Sequence, residues 1–357
     1  MKDLHGGNIY KFQREGKDNI LDYSSNINPL GVPQKFINIA KENFDKLVNY
    51  PDPYYIELRE KIAEFNSLNM DNIIVGNGAT EILFLYIRAL KPKKVLILAP
   101  CFAEYERALK SVSAKIDYFE LKESENFYPN IENLKKEIEN NNYDLLLLCN
   151  PNNPTGQFIK LEDIKEIVKT CENKNTRIFI DEAFIEFIEN WKEKTVSLLK
   201  NENVFIMRAF TKFFAIPGLR LGYGIGFNED ILKKMWEEKE PWTVNTFANL
   251  AGLIMLDDKE YIEKSEKWIL EEKKFMYKEL SEFQYIKAYK TECNFILIKL
   301  TNISSENLRE KMIEKSILIR DASNFKFLDY HFVRVAIKDR KSNLKMLETL
   351  AEFVEYK

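Results

Sequence analysis

The chain is poor in the residues on which several kinds of chemistry depend. Only His5 and His331 occur in its 357 residues, so a histidine-based metal site or a hydrolytic triad has almost nothing to be built from. The four cysteines, Cys101, Cys149, Cys171 and Cys293, lack metal or redox spacing and read as reduced thiols of a cytoplasmic protein. No apolar run approaches the ~20 residues of a membrane-crossing helix, and the first residues carry no signal-peptide pattern, so no membrane association is expected. Basic residues (53) do not outnumber acidic ones (56), the formal net charge is −3, and lysine and arginine are scattered. Nucleic acid is therefore not an expected partner. Repeats and low-complexity tracts are also missing, and the charge runs Glu271–Lys274 and Lys338–Lys341 read as solvated helix or turn faces. What is present is core material, with 45% hydrophobic residues in a chain long enough for two domains.

Met1 to about Pro33 has no strong periodicity and reads as an arm. After it, helical patterns alternate with short apolar runs, among them Lys94–Leu98, Leu145–Cys149, Arg177–Ile180 and Asn203–Met207. That alternation predicts an α/β domain with a mostly parallel sheet between helices. Beyond Trp242, helical stretches at Asn245–Leu256, Tyr261–Leu280, Ser305–Lys315 and Ser342–Tyr356 surround apolar runs at Phe295–Ile298 and Val333–Ile337, which predicts a smaller α+β domain. The expected division is an arm over 1–33 packing with the small domain, a large cofactor domain over 34–241 and a small domain over 242–357.

The chemistry-bearing residues follow the apolar runs. Lys212 ends Arg208-Ala209-Phe210-Thr211-Lys212, with Arg220 shortly after in Pro217-Gly218-Leu219-Arg220-Leu221-Gly222-Tyr223. A lysine leaving a buried strand beside a hydroxyl and an arginine can condense with an aldehyde cofactor while Thr211 and Arg220 hold its phosphate, which suggests pyridoxal phosphate. Asp181 follows Arg177–Ile180, and Asn153 lies in the turn-rich Asn150-Pro151-Asn152-Asn153-Pro154-Thr155-Gly156. A carboxylate at a pyridine nitrogen keeps it protonated, and an amide can donate to the ring's phenolic oxygen. An aspartate in that place can also be only a helix N-cap. Gly78, Ala79 and Thr80 precede a helical pattern, where free backbone N–H groups and the helix dipole suit a phosphate. Phe102, after Lys94–Leu98, can stack on a cofactor ring or simply fill the core. Ligands of open parallel sheets sit beyond the carboxyl ends of strands, so Asn153, Asp181 and Lys212 are expected at one crevice.

Asn-Pro-Thr-Gly, Asp-Glu-Ala-Phe, Thr-Lys and Gly-Leu-Arg-Leu-Gly-Tyr, in this order, resemble the fold type I pyridoxal-phosphate enzymes of the aspartate aminotransferase superfamily over nearly the whole chain. Within it the chain is most similar to the histidinol-phosphate aminotransferase branch. His5-Gly6-Gly7-Asn8 and Asp22-Tyr23-Ser24-Ser25-Asn26-Ile27-Asn28-Pro29-Leu30-Gly31 narrow the likeness to L-threonine O-3-phosphate decarboxylases of cobalamin biosynthesis.

The resemblance implies a large domain with a seven-stranded sheet. It implies Lys212 as the cofactor lysine, Asp181 and Asn153 at the ring, Phe102 stacked on it, and Ala79, Thr80, Thr211 and Arg220 at its phosphate. Tyr50 would reach the neighbouring subunit's cofactor in a homodimer. Arg320 and Arg334, with His5, Gly6, Asn28 and Asn153, would receive a small phosphorylated amino acid. Phe184 stands where the aminotransferases have a tyrosine, which favours the decarboxylase side. A bond at Cα breaks when it stands perpendicular to the cofactor plane. Arginines gripping a side-chain phosphate would turn the carboxylate upright; arginines gripping the α-carboxylate would leave the Cα–H bond upright, as in transamination. An effector-binding module of a transcription regulator, the remaining alternative, would need a DNA-binding domain upstream, which roughly thirty residues before the first helical pattern do not house.

Overall fold

The computed structural model describes residues 5–355; Met1 to Leu4 of the expected arm, and Tyr356 at the expected end of the last helix, lie outside them. The arm contains a short helix, Ile9–Arg14, and the strand β1 (Leu21–Asp22). The helix is only 6 residues long and buries a single side chain, Phe12, too little for a 3.6-residue period to show in the sequence.

The large domain is built on β2 (Ile73–Asn77), β3 (Lys94–Ala99), β4 (Lys115–Glu120), β5 (Leu145–Cys149), β6 (Arg177–Asp181), β7 (Val204–Ala209) and β8 (Leu221–Gly226), in the spatial order β2-β8-β7-β6-β5-β3-β4. Every pairing is parallel except those of β8, which runs antiparallel to β2 and β7. The continuous apolar run of β5 is buried along its whole length, as a parallel strand covered on both faces must be. β4 at the edge is only partly buried. From β3 the chain steps outward to β4 and then returns to the other side of β3 as β5. This reversal opens a crevice beyond the carboxyl ends of β3 and β5.

The small domain carries β9 (Ile286–Ala288), β10 (Phe295–Leu300), β11 (Ile317–Leu318), β12 (Arg320–Asp321) and β13 (Phe332–Ala336). Four of them form an antiparallel sheet, β12-β13-β10-β9. β11 pairs in parallel with β1, which stitches the arm to this domain. The stitch continues through Tyr23, whose N–H reaches Leu318 O at 2.7 Å and whose carbonyl accepts Ala336 N–H at 2.9 Å. Glu123 of the large domain receives Lys299 Nζ at 2.7 Å and Tyr289 OH at 2.7 Å from the small one. Burial works against its charge, but Lys299, Tyr289 and Lys287 outweigh it and hold the carboxyl down at about 2.

One surface expectation is corrected. Within Glu271–Lys274, Glu272 is buried and receives the Arg340 guanidinium, Nη2 to Oε1 at 2.9 Å, and Asn343 Nδ2 at 2.9 Å. The charge run is therefore part of the contact between the helices Lys259–Ser281 and Arg340–Ala351. Nothing in its composition distinguishes the inward carboxylate from its solvated neighbours.

Candidate active site

A cavity of about 250 Å³ lies where the strand ends, the arm and the small domain meet. Ala79, Thr80, Phe102, Asn153, Asp181, Phe184, Thr211, Lys212, Arg220, His5, Gly6, Arg320 and Arg334, all singled out from the sequence, line it. Three others do not. Gly78 caps the helix Ala79–Leu90 at φ +80°, and a Cβ there would lie 2.4 Å from the Arg220 guanidinium, so the glycine lets Arg220 close over the helix start. Tyr50 is 81% exposed and packs at a tilt against Trp242, ring centroids 4.8 Å apart. Asn28 is buried behind the cavity, with Nδ2 donating to Phe213 O at 2.8 Å and to Ser265 Oγ at 2.7 Å. Its own N–H meets Lys212 O at 3.1 Å. The substrate role expected for Asn28 is thus corrected to that of a brace for the lysine loop, because its amide is already spent on protein partners.

Lys212 sits in a one-turn helix, Phe210–Phe213, directly off β7. Burial, followed by the charges of Arg334 and Arg220, pulls its amine down to about 8. An ammonium beside two guanidinium groups loses its proton readily, which leaves a nucleophile near neutral pH. Asp181 ends β6, its Oδ1 accepting Ala183 N–H at 2.8 Å and its Oδ2 accepting Tyr105 OH at 2.6 Å. Burial pushes its carboxyl up to about 6, although both hydrogen bonds and Lys212 oppose the shift.

Arg334 lies in the middle of β13 and is buried. It donates through Nη1 to Asn153 Oδ1 and through Nη2 to Ser24 O at 2.7 Å, while its Nε has no hydrogen-bond partner among the described residues. Since arginine only donates, the oxygen of Asn153 faces it and the amide nitrogen is left to donate elsewhere. Burial, with Arg320 nearby, pulls the guanidinium below its ordinary value. Arg320, at the start of β12, is also buried; it donates to Asn324 Oδ1 at 2.7 Å and stacks on Phe325 at 5.2 Å.

The arm closes this end of the cavity. A Cβ on Gly6 would lie 2.0 Å from Ser24 O, and Gly7 N–H reaches Ser24 Oγ at 2.8 Å. Only a glycine allows that approach. His5 then lies 5.4 Å from the Phe102 ring, with Nε2 at 2.9 Å from Glu104 Oε1. Glu104, Tyr105 and Ser24 escaped the sequence reading. Glu104 and Tyr105 sit in an ordinary-looking helical segment, and Ser24 meets Arg334 through its backbone carbonyl while its hydroxyl serves the arm.

The donor set fits a phosphorylated pyridine aldehyde. The start of the helix Ala79–Leu90, Thr211 and Arg220 suit the phosphate, Asp181 suits a ring nitrogen, the Asn153 amide a ring oxygen, the Phe102 ring a flat face, and Lys212 an aldehyde. Among the described residues no group of histidine, cysteine or carboxylate side chains could hold a metal, and no helix is long and apolar enough to cross a membrane.

Residues 18–350 match the family described as aminotransferase class I and II. The chain belongs to this family of pyridoxal-phosphate enzymes. Within the class I and II family it is 46% identical over 353 residues to the "Putative threonine-phosphate decarboxylase" of Caldanaerobacter subterraneus subsp. tengcongensis, covering 98% of this chain and 94% of that protein. It is 33% identical over 349 residues to the threonine-phosphate decarboxylase of Salmonella typhimurium, covering 97% and 95%. The crystal structure of the histidinol-phosphate aminotransferase from Clostridium acetobutylicum superposes with a TM-score of 0.88 at 39% identity, covering 93% of this chain and 98% of that one.

Proposed function

We propose that this enzyme decarboxylates O-phospho-L-threonine to (R)-1-amino-2-propanol O-2-phosphate, a step of cobalamin biosynthesis. The observation that carries the reading is Arg334, a buried guanidinium whose hydrogen-bond partners among the described residues are all uncharged and whose Nε has none there. Such a group is costly until an anion arrives, and with Arg320 and His5 in the same cavity it suits a phosphate dianion. The names of the two decarboxylase relatives agree with this substrate.

In this reading the bound pyridoxal phosphate supplies an electron-accepting ring that stabilises negative charge at the substrate Cα. Arg334, Arg320 and His5 grip the phosphate and turn the α-carboxylate upright. The buried Phe184, with Phe295 edge-on at 5.2 Å, adds no hydroxyl on its side of the cavity. Lys212, carrying a proton as it nears its lowered pKa, delivers that proton to Cα. Tyr50 and Trp242 belong with Phe44, Val48 and Tyr54 to a surface rich in exposed apolar side chains. Exposure of this kind supports a homodimer in which Tyr50 reaches the partner's site.

The second reading is an aminotransferase acting on histidinol phosphate or a related amino acid, favoured by the 39% identity to the Clostridium acetobutylicum enzyme. The test is to incubate the holoenzyme with O-phospho-L-threonine, following carbon dioxide and aminopropanol phosphate, and in parallel with histidinol phosphate and 2-oxoglutarate. Carbon dioxide release is expected in the first incubation, and it is abolished in Lys212→Ala. Glutamate formation in the second, with no carbon dioxide in the first, selects the aminotransferase.

A further inference from the structure

Asp181 is held from two sides by bonds of different origin. Its bond from Ala183 is local, closing the turn just after β6. Its bond from Tyr105 comes from 76 residues away, on the helix Glu104–Lys110 that follows β3. Tyr105 is fully buried, lines the cavity, and meets the Phe102 ring edge-on at 5.7 Å and 83°. A phenol in the core needs only some acceptor, and a backbone carbonyl would serve. This one is committed to a carboxylate at 2.6 Å, the short distance of a charge-assisted bond.

That commitment has a chemical consequence. Burial pushes the Tyr105 hydroxyl well above its ordinary value, so it stays a donor throughout the working range. A hydrogen bond donated to a carboxylate favours the charged form. With Oδ1 engaged by Ala183 and Oδ2 by Tyr105, the plane of the carboxylate is also fixed, and its remaining lone pairs are left for the cavity.

We propose that Tyr105 is a positioning residue of the cofactor site: its hydroxyl keeps Asp181 ionised and correctly turned toward the pyridine nitrogen, and so secures the protonated ring on which the reaction depends. The role rests on the cofactor and not on which amino acid is the substrate.

The test compares two ligands of the apoprotein, pyridoxal phosphate and its carbocyclic analogue with a C–H in place of the ring nitrogen. Tyr105→Phe is expected to weaken binding of pyridoxal phosphate about tenfold, the scale of a lost hydrogen bond to a charged group, and to leave the analogue unchanged. In an Asp181→Asn background the same substitution should add no further loss for either ligand. Equal losses for both ligands, or no loss at all, overturn the proposal, because a merely structural tyrosine cannot sense the ring nitrogen. Should Tyr105→Phe not fold, 3-fluorotyrosine at position 105 keeps the shape and donates more strongly. It is then expected to tighten pyridoxal phosphate alone, and an equal effect on both ligands would reject the role.

Discussion

Arg208 and Arg334 are both buried arginines on strands flanked by apolar residues, and their surroundings are opposite. Arg208 is fully enclosed and fully paired. Its Nε and Nη2 reach Glu182 Oε2 at 3.0 and 2.8 Å, Thr195 and Asn66 take further bonds, and its guanidinium carbon lies over the Trp191 ring, 4.8 Å from the centroid. Glu182 in turn accepts Thr195 Oγ1 and Val196 N–H, each at 2.8 Å. Burial alone would pull the Arg208 guanidinium down, but Tyr223, Glu182 and Glu186 around it push it above its ordinary value. Arg334 has only uncharged acceptors and is pulled the other way. The first arginine completes the fold, whereas the second is left electrostatically incomplete, facing a cavity. The contrast separates a buried cation left open to an anion from one committed to the core: by whether a countercharge is already paired with it in the protein.

Exchanging each for methionine gives the largest expected effect. Arg208→Met strands the Glu182 carboxylate and should cost about 3–5 kcal/mol in urea unfolding, the penalty for breaking a buried pair. Arg334→Met strands no carboxylate within ion-pair reach among the described residues, so its unfolding free energy should stay within about 1 kcal/mol of the parent while kcat/KM for the phosphorylated substrate falls roughly a hundredfold or more. If Arg334→Met unfolds the protein and Arg208→Met does not, the comparison fails.

A smaller effect sharpens it. Inorganic phosphate should raise the melting temperature of the holoenzyme, whose cofactor phosphate cup is already filled, by about 2–4 °C, a stabilisation near 1 kcal/mol, and leave that of the Arg334→Met holoenzyme unchanged. An equal rise in both would place the anion elsewhere.

The smallest effect is on the titration of Lys212. A lysine with a lowered pKa presents its neutral amine at lower pH, so the rate at which the apoprotein captures pyridoxal phosphate should rise through pH about 8 and then level off. Removing the Arg334 charge relieves the repulsion that favours deprotonation, and the midpoint should move upward. A profile still climbing toward the range of an ordinary lysine in the parent protein would contradict the electrostatic account.

Three of the cofactor residues legible in the sequence share one property: each ends or follows a short parallel strand, at its carboxyl end. Asn153 after β5, Asp181 at the end of β6 and Lys212 after β7 can be read from contiguous residues because a parallel sheet carries them all to the same edge. Asn28 could not be read correctly. Its motif points to the site, but whether its amide is free depends on Ser265 and Phe213, which only folding brings to it. Glu272 and Tyr105 looked unremarkable for the same reason.

Local order along the chain was thus enough to determine the α/β architecture, the cofactor chemistry and the family, since apolar periodicity and strand-end residues act over a few positions. Tertiary structure alone decided which buried charges are satisfied. It paired Arg208 with Glu182, joined Tyr105 to Asp181 and left Arg334 with uncharged hydrogen-bond acceptors, because the energy of a buried charge depends on what surrounds it in space, and those surroundings come from segments far apart in the chain.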